Sequence, residues 1–270
     1  MVAFSNKEKG GKRMTIYDCD FIYANETSNS HDIFMCQIGD SSTSSNDESS
    51  NLITSTTPYI DKWHLHGKVK SAPLQFPITI ARMDGKYIDS EKERQLKKWL
   101  CKDKYNWLQI LQDDMYNIQY NCILVNPQKV NVGSMSAGLR FDVICDSDKA
   151  WTRLNSKIYT STTTSTFSFN LATDYDNYEL YPTLIIKPKA SGNISIKNNT
   201  TNKTVTINDC ISAETIIIDN GNNVIKSDKR ILLDKWNKQY FKLVEGINNV
   251  TLTGNFTMEM QYRLPVRVGG

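Results

Sequence analysis

The chain has 270 residues, 39% hydrophobic and 23% charged, with a formal net charge of +3 and a mean hydropathy of −0.46. That length suits one or two domains with sizeable cores, and the absence of any run of about 18 apolar residues excludes a helical membrane span. Residues 1–150 carry 18 basic against 19 acidic side chains and residues 151–270 carry 14 against 10, so neither half has the basic footprint of a nucleic-acid binder.

Residues 1–13 read as a polar arm whose charges (Lys7, Glu8, Lys9, Lys12, Arg13) precede no apolar segment, so it is not a secretory signal; Met14 offers an alternative start. Residues 14–21 and 33–38 are short β-type runs. A Ser/Thr-rich stretch at 40–58, SSTSSNDESSNLITSTTP at its heart, reads as a solvated loop in which Leu52 and Ile53 are the adjacent apolar pair. Residues 62–70 alternate Trp63, Leu65, Gly67 and Val69 against Lys62, His64, His66 and Lys68, the period of a half-buried strand.

The stretch at 77–111, PITIARMDGKYIDSEKERQLKKWLCKDKYNWLQIL, predicts strand, turn, helix and strand. Asp84-Gly85 is the turn signal. Ser90 with Glu93 has the spacing of a capping box. Glu91 and Glu93 in the first turn and Lys97 and Lys98 in the last suit the helix dipole. Leu96, Trp99 and Leu100 form one narrow apolar stripe, which must anchor the helix on a sheet that supplies the other half of the core.

Further strands are expected at 105–111, 120–125 and 139–145, with turns at Asn126-Pro127 and at 133–138. The first unit should end at 146–150. After it come only short strands at regular spacing, including a hairpin at Asp219-Asn220-Gly221-Asn222-Asn223, which argues a β-sandwich for 151–270. Six scattered cysteines with no C-x-x-C pair are expected as free buried thiols.

Little here carries chemistry. His64 and His66 share a strand face, but only His31 remains as a further histidine, and ordinary surface histidines are the better reading. The GSMSAG run at 133–138 misses the G-x-S-x-G spacing of a nucleophile elbow. Asp113-Asp114 is an ordinary pair of loop charges. Trp236 and Tyr240 could line a sugar face, yet sandwich core is the favoured reading for them and for Phe241. No catalytic residue, cofactor site or metal site is assigned.

An ordered series of segments is similar to one family. Residues 74–150 resemble the N-terminal domain of phage distal tail proteins, the Dit family of siphophage tail components, through LQFPITIARMDG, SEKERQLKKWL, YNIQYNCILVNPQKV and GLRFDVICDSDKAW. The second half resembles the family's C-terminal sandwich through ELYPTLIIKP, ETIIIDNGNNVIKSD and FKLVEGINNVTLTGNFTMEMQYRLP. The lead at 1–13 and the Ser-rich segment depart from the pattern. The resemblance implies a mainly β protein. Residues 14–150 would form a tail-tube-like split β-barrel with one helix, and residues 151–270 a galectin-like or carbohydrate-binding-module-like sandwich.

The same resemblance implies a non-enzymatic virion protein, assembled in the host bacterial cytoplasm. Six copies would form a ring joining the tail tube to tail-tip, baseplate or tail-associated proteins, with DNA passing through it without sequence-specific binding. The peripheral sandwich would carry receptor-binding protein or touch cell-wall sugar. Leu52 and Ile53 are then the expected contacts with a neighbouring subunit or another partner. A carbohydrate-binding adhesin without a ring, and a cell-wall hydrolase, stay open as alternatives.

Overall fold

The computed structural model describes residues 19–36, 52–56, 62–68, 72–113 and 115–268. The chain divides into two compact units, one running to Trp151 and the other spanning Thr152–Val266. Arg267 and Val268 belong to the first unit, where Val268 packs on the core, whereas the sequence reading assigned them to the second. The arm at 1–13 and residues 40–51 and 57–58 of the Ser-rich segment lie outside the described residues.

The first unit contains β1 (Phe21–Tyr23), β2 (Glu26–Thr27), β3 (Ile33–Met35), β4 (Leu52–Thr56), β5 (Trp63–Lys68), β6 (Gln75–Arg82), α1 (Ser90–Leu100), β7 (Asn106–Ile110), β8 (Ile118–Val132) and β9 (Met135–Cys145). One sheet runs in the order β2-β1-β7-β8-β9-β6-β3, each strand antiparallel to its neighbours in that order. Alternation decides which face is buried. Along β6, Phe76, Ile78 and Ile80 point inward while Pro77 and Thr79 are half-buried. Along β9, Leu139, Phe141, Val143 and Cys145 do the same. The sheet then curls until its ends meet. Cys19, just before β1, and Met35 of β3 exchange two backbone hydrogen bonds, 3.2 and 2.9 Å long. A sheet closed at one joint is a split barrel.

Two sequence expectations are corrected in this unit. Asn126-Pro127 does not end a strand. β8 passes through it, with a register shift between Val125 and Gln128 opposite β9. Proline has no N–H to give a ladder, and a bulge is where the ladder leaves a residue unpaired. Nor is the Ser-rich segment a loop at Leu52–Thr56, which is a strand paired antiparallel with Trp63–Lys68. β-branched Ile53, Thr54 and Thr56 suit a ladder better than their polar context suggested.

The chain leaves the first unit through β10 (Ala150–Thr152). The second unit holds β11 (Asn155–Ser161), β12 (Thr164–Leu171), β13 (Glu179–Leu180), β14 (Thr183–Pro188), β15 (Gly192–Asn198), β16 (Lys203–Cys210), β17 (Ile216–Asp219), β18 (Val224–Ser227), β19 (Leu243–Val244), β20 (Gly246–Thr253) and β21 (Phe256–Tyr262). One sheet runs β11-β21-β14-β17-β18, a second β12-β20-β15-β16, and β13 pairs with β19. Leu184, Ile186, Ile216, Ile218, Met258 and Met260 of the first sheet share a core with Phe169, Ile194, Ile196, Val205, Val250 and Leu252 of the second, which makes the unit a β-sandwich. Asp219 pairs with Val224 across the Asn-rich turn.

Buried polar groups fix the loops of this sandwich. Glu214, fully buried, takes the Arg230 guanidinium at 3.1 and 3.2 Å, the Ile211 N–H at 2.9 Å and the Ser227 hydroxyl at 3.0 Å. Burial opposes its charge. Arg230, Ile211 and Ser227 together outweigh that and hold the carboxyl below its ordinary range. Asn220 accepts from the Phe241 N–H at 2.7 Å and donates to the Pro182 carbonyl. The unit's two ends are clamped, with Thr152 N–H donating to Leu264 O at 2.8 Å and Leu264 N–H to Thr152 Oγ1 at 2.9 Å.

Candidate assembly surfaces

In the first unit, α1 is the element that positions the rest. Its cap is Asp89 rather than Ser90: the Asp89 carboxylate accepts from the Lys92 N–H at 2.8 Å, and Ser90 is already the first helical residue. A carboxylate one position earlier meets both the free N–H groups and the positive end of the dipole. Glu93 is thereby released from any box. It faces Lys97 at 2.7 Å and Lys129 of β8 at 2.9 Å, and those two ammonium groups hold its carboxyl below the ordinary range.

The buried face of α1 is Leu96, Trp99 and Leu100. Trp99 donates its indole N–H to the Tyr23 carbonyl at 3.2 Å. Its ring lies parallel to those of Phe21, 5.7 Å away, and His31, 3.9 Å away. The His31 imidazole in turn meets Glu26 at 2.9 Å. The helix is therefore held against β1 and the turn that follows it.

Lys129 lies on the arm beyond the bulge, where Asn126, Pro127, Gln128 and Lys129 are all exposed. Asn126 is braced by the Asp142 carboxylate at 2.9 Å. The arm ends in a tight turn with Gly133 at φ +62°, a left-handed conformation that glycine adopts at no steric cost. Val132 and Met135 face each other across that turn, about half exposed. The sequence marked the turn but not the apolar tip, because a lone Val and a lone Met in a polar run give no periodic signal.

The β4–β5 hairpin is the second element with exposed apolar side chains. It forms a two-stranded sheet of its own. Ile53 is half exposed and Trp63 is 71% exposed, so the half-buried strand expected at 62–70 is corrected for Trp63. Nothing is described of the Leu52 side chain. His66 hydrogen-bonds Ser55 across the hairpin. Among the described residues no three histidine, cysteine or acidic side chains gather into a metal-binding group. An isolated two-stranded ribbon is marginal in water, and a large exposed indole on one is a typical anchor for a partner.

The aromatic pair of the second unit packs on the sandwich core. Trp236 is buried at 8% exposure in the sandwich core, and Tyr240 crosses its ring edge-on at 4.9 Å. An open depression of this unit lies between Thr166, Phe167, Ser168, Asn199 and Asn249. One face of Phe167 is already covered by Tyr159 at 3.6 Å.

The geometry thus defines a mainly antiparallel β protein of two units, a split barrel with one helix and a β-sandwich. Residues 16–147 match the family described as the phage tail protein N-terminal domain, and residues 149–262 match the phage tail C-terminal domain. The chain belongs to the phage tail proteins that these two families describe. No protein of curated function matches its sequence. The crystal structure of the SPP1 Dit protein, described as a paradigm of the hub adsorption apparatus in phages infecting Gram-positive bacteria, superposes with a TM-score of 0.62 at 8% identity, covering 91% of this chain and 98% of that one. A chain of the phage P2 baseplate in its activated conformation with calcium gives 0.58 at 11% identity over 90% and 97%. The fold is that of the distal tail proteins.

Proposed function

We propose that the chain is a distal tail protein that forms a sixfold ring with an open channel, joining the tail tube to the tail-tip or baseplate proteins of the virion. The observation that carries this reading is the pair of exposed apolar patches on two strand pairs of the first unit, Trp63 and Ile53 on the β4–β5 hairpin and Val132 and Met135 at the tip of the β8–β9 arm. A cyclic assembly uses one patch of each subunit against a different patch of the next. Strand pairs with exposed apolar side chains suit such head-to-tail joints.

In this reading Ile53 and its neighbour Leu52 contact the next copy, DNA passes through the channel without sequence-specific binding, and the sandwich carries receptor-binding components or touches cell-wall sugar. The role is structural, and assembly takes place in the host cytoplasm. Leu96, Trp99 and Leu100 serve it indirectly, by fixing the helix that braces the arm through Glu93 and Lys129.

Mass and symmetry of the purified protein, by light scattering and negative-stain imaging, test this. A ring of six, alone or with tail-tube protein, is the expected result. A strict monomer under both conditions overturns it, and a monomer that binds glycans would favour the adhesin reading.

A further inference from the structure

Cys122 of β8 and Cys145 of β9 stand opposite each other in a stretch of ladder whose register is unbroken from Cys122↔Cys145 to Val125↔Asp142. The flanking hydrogen bonds fix what kind of pair they are. The Cys145 N–H donates to Leu74 O at 2.9 Å, away from β8, while the next residue, Asp146, donates to Asn121 O at 2.9 Å. Asn121 and Asp146 are therefore a hydrogen-bonded pair, and Cys122 and Cys145 are the non-hydrogen-bonded pair beside it. In such a pair the Cα atoms are about 4.5 Å apart and both side chains rise from one face of the sheet. A disulfide spans Cα separations of about 4.4–6.8 Å. Both thiols are free and both lie in the core, at 0% and 1% exposure.

We propose that Cys122 and Cys145 are a latent cross-strand disulfide, which staples the two longest strands of the first unit when the protein meets a disulfide oxidant. The chemistry balances with oxidised glutathione as that oxidant. One protein S–S bond forms, the S–S bond of glutathione disulfide breaks, and two protons and two electrons pass to it, giving two glutathione thiols. A glutathione-reduced compartment keeps the pair open and an oxidising medium lets it close. Burial pushes the Cys145 thiol up to about 12 and raises Cys122 as well, so thiolate is scarce in the closed fold. Closure therefore proceeds at the pace at which β8 and β9 part locally.

The test incubates the full-length protein with excess oxidised glutathione, with and without a low concentration of urea to promote local opening. The thiols are then blocked in denaturant and the peptides mapped. Four of the six thiols should remain titratable, peptides linked through Cys122 and Cys145 should be recovered, and reductant should restore all six. Cys122→Ser and Cys145→Ser should each abolish the linked peptide and leave five thiols. Because a hydroxyl in the core could unfold the strand, Cys122→Ala and Cys145→Ala serve as the second pair, with the same expectation. Six free thiols after oxidation in urea overturn the proposal, as does a linkage that maps to exposed Cys101 or to Cys36 in place of this pair.

Discussion

The indole N–H of Trp99 bonds the backbone carbonyl of Tyr23, and the hydroxyl of Tyr23 bonds the backbone carbonyl of Cys122 at 3.4 Å. Helix, first strand and long hairpin are thereby strung on two side chains. Trp99→Ala should destabilise the protein by about 3–5 kcal/mol, as for a buried aromatic. Trp99→Phe should lose about 1–2 kcal/mol, because it keeps most of the contact area but gives up the indole bond to the Tyr23 carbonyl. Urea unfolding measures both. A cost under about 1 kcal/mol for the alanine variant would mean the indole anchors nothing in the free subunit.

The Glu214–Arg230 pair predicts acid sensitivity. The folded-state carboxyl titrates below its ordinary value of 4.5, so the unfolded chain takes up the proton first as pH falls. The pair's contribution is complete above about pH 4.5 and is lost on descent through the folded value. Arg230→Met should cost about 3 kcal/mol at neutral pH by leaving Glu214 charged, buried and without its counter-ion. Melting temperatures of both proteins between pH 3 and 7 check this; parallel curves would contradict it.

The clamp of Thr152 on Leu264 suggests that the second unit closes on itself. A fragment covering 152–266 should give a β-type circular dichroism spectrum and one cooperative melt. A spectrum of unfolded chain would show that the sandwich depends on the rest of the protein.

Trp63 offers a prediction that separates folding from assembly. Trp63→Ala should change subunit stability by less than about 0.5 kcal/mol, as an exposed site does. It should weaken self-association at least tenfold, as truncation of an interface aromatic does. Hydrogen exchange gives the complementary view: peptides over 52–68 should exchange fast in the free subunit and slowly in assembled tails. Equal rates in the two states would leave the hairpin without a joint to make.

Legibility in the sequence followed the strength of the local period. The stripe of Leu96, Trp99 and Leu100 could be read directly, because a core face repeats at the spacing of its element, and the apolar runs of β6 and β9 were legible as strands. The Asp89 cap was missed by one residue because Asp89 and Ser90 are both good caps and only geometry chooses between them. β8 was cut short because Asn126-Pro127 has the composition of a turn and the conformation of a bulge. Trp63 looked half-buried because alternation reports which side chains share a face, not whether anything covers it. The Cys122–Cys145 pairing was out of reach because register between strands is a long-range property.

The joint between Cys19 and Met35 gives the barrel the mechanics of a sprung collar. Anywhere else around the hoop, widening must break a whole ladder, such as the seven paired positions between β6 and β9. At the gap the described residues make two backbone hydrogen bonds, between Cys19 and Met35. Any dilation or twist imposed on the hoop therefore concentrates at Cys19 and Met35, while the opposite wall keeps its curvature. The bore of the collar is set by its weakest link.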